Sequence, residues 1–260
     1  MTTGHTHAPY VPDNPAAAAT DTTGLEQDMT ITPTTLTRGA AAAAVGAGVL
    51  FIGVQLGHPH LDVTTVATTE VVVRDSLKML MAVLALVGIT GMYLSQVRRN
   101  GVLGLVGFLV LGAGYLLITC MSYLAAFVMP QLVGTDPAYV EDVITQITGG
   151  TPAGDIGLLG IALKVQDISF LAGGLLFGIA LFRAGVLARW ATVLLAVGGV
   201  ITILLSVMPD AFYRLLAFPN GIALIGLGWS LWATTRNTGA APTPVPDTSG
   251  SSRVATAGAE

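Results

Sequence analysis

Six stretches of this chain stay apolar for about the length that a helix needs to cross a bilayer, and that limits what it can fold into. A helix rises roughly 1.5 Å per residue, so about 20 residues cover some 30 Å of hydrocarbon. The stretches lie near residues 38–57, 77–97, 102–128, 158–182, 187–208 and 214–235. Lipid offers no partner to a backbone N–H or C=O, so runs of this length are predicted to be helices that satisfy their own backbones. Composition agrees, with 53% of residues hydrophobic and 10% charged, where a soluble domain has about 25% charged. The expected fold class is all-α: a polytopic membrane protein whose six transmembrane helices form a bundle over residues 35–236.

Disordered N- and C-terminal tails are expected on either side. Residues 1–34 are rich in Thr, Ala, Pro, Asp and Gly, and residues 237–260, "NTGAAPTPVPDTSGSSRVATAGAE", read the same way. Neither has the apolar periodicity needed to offset the entropy of ordering. The first span, "AAAAAVGAGVLFIGVQLG", follows Arg38 and lacks a basic segment at the terminus. It is predicted to be an uncleaved span, not a signal peptide.

Arginine position sets the expected orientation. Arg38 precedes span one, Arg98 and Arg99 join spans two and three, Arg183 and Arg189 join four and five, and Arg236 follows six. All fall on one side, and an excess of arginine in short connections marks the cytoplasmic face. Asp62, Glu70, Asp75, Asp136, Glu141, Asp142, Asp155 and Asp210 fall on the other. Both termini are thus expected to be cytoplasmic, with the chain in the cell (plasma) membrane. Trp190, Trp229 and Trp232 sit at the cytoplasmic ends of spans, where an indole favours the interface. The expected partners are the lipid bilayer and a membrane protein or a second copy in a homo-oligomer. No basic patch points to nucleic acid, and the lone Cys120 excludes an intramolecular disulfide.

Two connections on the acidic side carry content. In "GTDPAYVEDVITQITGG", Asp136 and Pro137 form an N-cap and N1 pair and Gly149–Gly150 a stop. Val140, Val143, Ile144 and Ile147 share one face, so a short helix is expected to lie over the bundle, as a lid or as a plain connector. In "HPHLDVTTVATTEVVVRDS", His58, His60 and Asp62 are candidate metal ligands. A metal site needs a further ligand placed by the fold, so the expectation is an exposed turn shaped by Pro59, with no metal and no cofactor.

The charges inside span four are the most unusual feature. In "GLLGIALKVQDISFLAGGLLFGIALFRAG", about 20 residues back from Arg183 reaches Leu163, which puts Lys164 and Asp167 at the outer edge of the hydrocarbon or just inside it. Lys164, Asp167, Leu171, Gly174 and Gly178 form one helical stripe, and Gly174–Gly178 is a GxxxG step suited to close packing. The charges are therefore expected to face inward. Asp75 and Lys78 in span two, and Arg214 and Asn220 in span six, where Pro219 interrupts the helix, are expected to meet them in one polar cluster. Intramembrane ionisable groups point to function, with a structural ion-pair network as the competing reading.

Catalytic signatures are missing: no HExxH, no paired intramembrane aspartates in a Gly-rich setting, and no Gly-x-Ser-x-Gly, since "GWSLW" around Ser230 lacks the last glycine. An enzyme is not expected. The leading expectation is a non-enzymatic scaffold or accessory subunit, and the alternative is a small transporter or ligand-binding protein with an outward-facing polar pocket. "RNGVLGLVGFLVLGAG" at 99–114 also matches "RAGVLARWATVLLAVG" at 183–198, as in tandem hairpins of one orientation. The "FRAGVLARWATVLLAVGGVI" hairpin and the first span ending in "QLGHPH" resemble poorly characterised six-span membrane proteins of high-GC bacteria. That resemblance implies a multi-pass membrane fold and carries over no catalytic motif or substrate.

Because the tails lack apolar periodicity, deleting residues 1–30 and 240–260 should leave membrane insertion and the melting temperature of the core nearly unchanged. A clear fall in either would show that a tail docks on the bundle.

Overall fold

The structure is a computed structural model that describes residues 31–56, 61–206 and 217–237, with side chains left out at 202–206, 217 and 237. Residues 1–30 and 238–260, with His58, His60, Asp210 and Arg214, lie outside the described residues. The described residues form seven helices: α1 (Pro33–Gly53), α2 (Thr69–Ser95), α3 (Val97–Leu132), α4 (Pro137–Ile147), α5 (Leu158–Ala184), α6 (Arg189–Ser206) and α7 (Ala217–Asn237). Four of these, α1, α2, α3 and α5, are long and apolar enough to cross a membrane. The described apolar part of α6 is shorter, Arg189–Ile201.

Local chemistry sets several boundaries. α1 starts at Pro33, before the apolar run, because the Thr32 side chain accepts from Thr35 N at 3.2 Å and Pro33 fills the first turn. Residues 33 and 34, expected in the tail, are therefore helical. α3 is continuous in outline but has two irregularities. Gly101 takes φ 56°, and a π-helical turn, Leu124–Val128, precedes Pro130. Proline has no N–H for the i−4 carbonyl and its ring crowds it, so the backbone widens there. Pro219, expected to interrupt span six, stands in the first described turn of α7, where a missing N–H costs little. Gly185 closes α5 in the left-handed conformation, with φ 67°. It aligns with Gly101 in the internal repeat, so the two matched glycines both turn the chain at positive φ.

The six long helices form a closed ring in the order α1, α2, α3, α5, α6, α7, with α7 returning to α1. Each runs antiparallel to its neighbours. Arg38 near the start of α1 donates to Thr235 Oγ1 near the end of α7 at 3.1 Å, and its guanidinium lies 5.9 Å from the Trp232 ring. The helix ends bearing Arg38, Arg98, Arg99, Arg183, Arg189 and Arg236 thus gather at one end of the bundle, here the arginine end. The described parts of the connections 54–68 and 133–157 gather at the other, the loop end.

Five of the six interfaces rest on glycine. A Cβ at Gly173 would collide with the backbone of Leu111, and one at Gly107 with that of Phe177, so α3 and α5 touch backbone to backbone. Gly178 does the same against Thr192 and Ala196 of α6, as the GxxxG stripe predicts. Gly226 lies under Trp190 between α6 and α7, Gly48 and Gly221 bring α7 onto α1, and Gly88 meets Ala44 between α1 and α2. The remaining interface, α2 with α3, relies on Tyr93 stacked on Phe108 at 4.8 Å.

Between the helices, fully buried Tyr115 and Phe177 and partly buried Phe51, Phe108 and Phe170 join a core that is otherwise aliphatic. Phe51 of α1 reaches Phe170 of α5 at 6.2 Å, and Phe170 meets Tyr115 of α3 edge-on at 5.4 Å. Nearer the arginine end, Phe108 continues to Phe177 at 6.3 Å. The outward surfaces stay apolar, with Val83, Val87, Leu109, Leu116, Ile179 and Val193 among the exposed side chains.

α4 crosses the loop end and is firmly held. Asp136 accepts from Tyr139 N at 3.1 Å as its N-cap, and Gly149 follows the helix at φ 86°. Val140, Val143 and Ile144 are buried in a second apolar cluster with Val66, Met129 and Ile156, which ties both connections together. Asp142 accepts from Ala153 N at 2.7 Å and Gly154 N at 3.1 Å and pins the segment that follows. This arrangement is an anchored cap.

Substituting Gly173 by Val should destabilise the detergent-solubilised protein by at least the ~1–3 kcal/mol typical of overpacking, because backbone atoms of α3 cannot step aside. Gly39, with nothing near its missing Cβ, serves as the control. Gly39→Ala should be neutral or raise stability by up to about 1 kcal/mol. Equal melting temperatures for the two variants would refute the close-contact account.

Candidate functional site

The polar groups of the loop end are held mostly by local bonds. Arg74, one turn into α2, sends Nη1 to the carbonyls of Val54 and Leu56, both at 2.9 Å, and Nη2 to Glu70 Oε1 at 3.1 Å. The last carbonyls of α1 have no intrahelical donor, and they sit at the negative end of its dipole. A forked cation suits both needs. Arg74 therefore clamps the end of α1 to the start of α2. Beside it lies an open cleft of about 400 Å³ lined by Gly53, Val54, Leu56, Glu70, Val73 and Leu77.

Asp75 and Lys78 form an ion pair at 2.8 Å within α2, the carboxylate buried and the ammonium partly exposed. An i,i+3 spacing lets one helix pair both charges. Lys164 and Asp167 are different. Their stripe does pack on α6: Leu171 meets Gly199, Gly174 faces the Leu195 carbonyl, and Gly178 meets Ala196. At Lys164 and Asp167, toward the C-terminal turns of α6, both side chains are exposed. Neither forms an ion pair among the described residues. Asn220 is buried on α7 against Gly198 of α6.

The single inward-facing cluster expected of Asp75, Lys78, Lys164, Asp167 and Asn220 is therefore not assembled by the described residues. Arg214 lies outside them. The reason is the ring order. α2, α5 and α7 occupy alternate places, with α3 between α2 and α5, α6 between α5 and α7, and α1 between α7 and α2. α2 and α7 touch at a few points, whereas α5 is separated from both, so similar depth along the bundle does not bring Lys164 and Asp167 to the other groups.

Asp62 has a structural role. Its Oδ1 accepts from Thr64 Oγ1 at 2.6 Å and from the N–H groups of Thr64 and Thr65, both at 2.8 Å. The Thr64 hydroxyl, followed by the Thr65 backbone, holds the Asp62 carboxyl below the usual aspartate value. His58 and His60 lie outside the described residues, and no group of three metal-ligating side chains occurs among those described.

Other polar groups went unnoticed in the sequence. Gln96 and Asn100, in the α2–α3 junction, are buried with side-chain amides that meet no partner among the described residues, as is the Tyr115 hydroxyl. The i,i+4 spacing of Gln96 and Asn100 around Arg98–Arg99 was a legible sign of a polar junction. Nothing in an apolar run distinguishes Tyr115. At the arginine end, Trp190, Ile222, Ile225, Gly226 and Trp229 line a groove of about 530 Å³. Ser230, in the same groove, accepts from Ala188 N at 2.9 Å just before α6.

Arg74→Met should cost about 1–3 kcal/mol, the usual worth of hydrogen bonds to a charged group, read as a lower melting temperature in nanodiscs. Glu70→Gln should cost under about 1 kcal/mol, because that partner is exposed. A larger effect at Glu70 than at Arg74 would refute the clamp. Comparison with known protein families, curated proteins and solved structures gives no match for this chain.

Proposed function

We propose that this chain is a six-span protein of the cell membrane, with both termini cytoplasmic, that acts as a non-enzymatic scaffold or accessory subunit through its helix surfaces. α6 and α7 close the ring begun by the four long apolar helices, which supports six crossings. The gathering of Arg38, Arg98, Arg99, Arg183, Arg189 and Arg236 at one end supports the orientation through the positive-inside preference.

The observation that carries the functional reading is the filled interior. Alternating access needs a site near the bilayer midplane that opens to each side in turn. Here the rings of Phe51, Phe170, Tyr115, Phe108 and Phe177 occupy the space between the helices. A bundle packed in this way presents its specificity on the outside. The transporter or ligand-binding alternative draws its support from the cleft beside Arg74.

Reporter fusions after Arg99, near Gly149 and after Arg236 should read inside, outside and inside, and an outside C-terminus would overturn the topology. For function, a membrane protein should co-purify at fixed stoichiometry and be lost when lipid-facing residues change. If none is retained, and a small molecule raises the melting temperature of the wild type but not of Arg74→Met, the alternative replaces this reading.

A further inference from the structure

Ile161, Lys164, Asp167 and Ile168 are all exposed and lie within about a third of the circumference of α5. With Arg183 as the arginine-end anchor, about 20 residues of crossing reach Leu163. Lys164 is then at the margin of the hydrocarbon, and Asp167 lies about 5 Å deeper. Ionisable groups at such depths face protein or water, because facing lipid is costly. The Lys78–Asp75 pair meets that demand inside α2. Among the described residues, Lys164 and Asp167 form no ion pair at all.

We propose that this face of α5 is the contact between two copies of the chain, with Lys164 of each copy paired to Asp167 of the other. In a two-fold contact residue i meets j while j meets i. A cation and an anion three residues apart are then complementary to themselves about an axis along the membrane normal. The offset between them along the helix is about 4.5 Å, within reach of a lysine side chain. A second copy supplies both an acid and a base at matching depth by symmetry, while Asp210 and Arg214 of the same chain lie outside the described residues. Ile161 and Ile168, 59% and 63% exposed, flank the pair and give the contact apolar area. The inference rests on α5 crossing the bilayer, which the reporter fusions examine separately, so the two readings fail independently.

The test uses the full chain, carrying donor or acceptor fluorophores on its C-terminus, in phosphatidylcholine–phosphatidylglycerol vesicles. Wild type should show energy transfer and two-step photobleaching. Lys164→Asp and Asp167→Lys, each alone, place like charges opposite one another and should fall to the level of a non-interacting control. Mixing the two variants makes every cross-pair opposite in charge, so energy transfer between them should return. Monomeric wild type, persistent dimers of either variant, or no recovery on mixing would overturn the proposal, and the last is what a pair within one helix predicts. If a variant fails to fold, Ile161→Cys in a Cys120→Ser background decides. A disulfide between copies should form in membranes, and its absence overturns the contact.

Discussion

The structure depends on backbones approaching one another more closely than side chains ordinarily allow. In lipid the hydrophobic effect does not drive helices together, so association must come from dispersion contacts and from whatever polar bonds the helices share. Dispersion falls steeply with a small gap. Glycine removes the gap: Gly173 on Leu111, Gly107 on Phe177 and Gly178 on Ala196 seat α5 against both neighbours along much of its length. The chain has 32 glycines, and in the bundle many serve as packing surface. Close approach at the interfaces is matched between the helices by aliphatic side chains and by the rings of Tyr115 and Phe177. Glycine between helices and aromatics within them are two parts of one packing solution.

That solution explains what was legible in the sequence. Helical runs, their approximate limits, the GxxxG stripe on α5 and the α4 cap from Asp136 to Gly149 could all be read, since each depends on neighbours close along the chain. The order of helices around the ring could not. In a soluble bundle, an apolar stripe marks the face that meets the core. Here α5 is apolar on nearly every side, with exposed Ile161, Ile168 and Ile179 as greasy as buried Leu163 and Leu181. Glycine says that some helix comes close and does not say which one. The polar cluster expected across α2, α5 and α7 needs those helices to be mutual neighbours, and α5 touches neither of the other two. The start of α1 at Pro33 differs from the expected limit for another reason: the Thr32–Pro33 cap sets it ahead of the apolar run.

Polar groups follow a different rule at the loop end, where most bonds are made within a few residues. Asp62 organises its own turn, Asp136 caps its own helix and Asp75 pairs with Lys78 one turn on. Arg74 reaches farther, to the carbonyls of Val54 and Leu56, yet these belong to the preceding helix of the same hairpin. Local satisfaction lets each hairpin emerge from the bilayer with its ends already closed. It also makes the acidic loop end a poor sign of a shared site, because most of the described acids there have a structural task nearby.

Against that background the exposed charges of α5 stand apart. A chain that meets polar demand locally at Asp75, with a lysine three residues later, has the same residue types at the same spacing in reverse order at Lys164 and Asp167. A side chain in a helix leans toward the N-terminus. A lysine that follows its aspartate therefore leans back toward it, as Lys78 does. A lysine that precedes its aspartate leans away. The order Lys-then-Asp is the poorer arrangement for a pair within one helix. The interior is closed by aromatic rings and the loop end by its own bonds. The reversed pair on α5 forms no ion pair among the described residues, and both of its members are exposed.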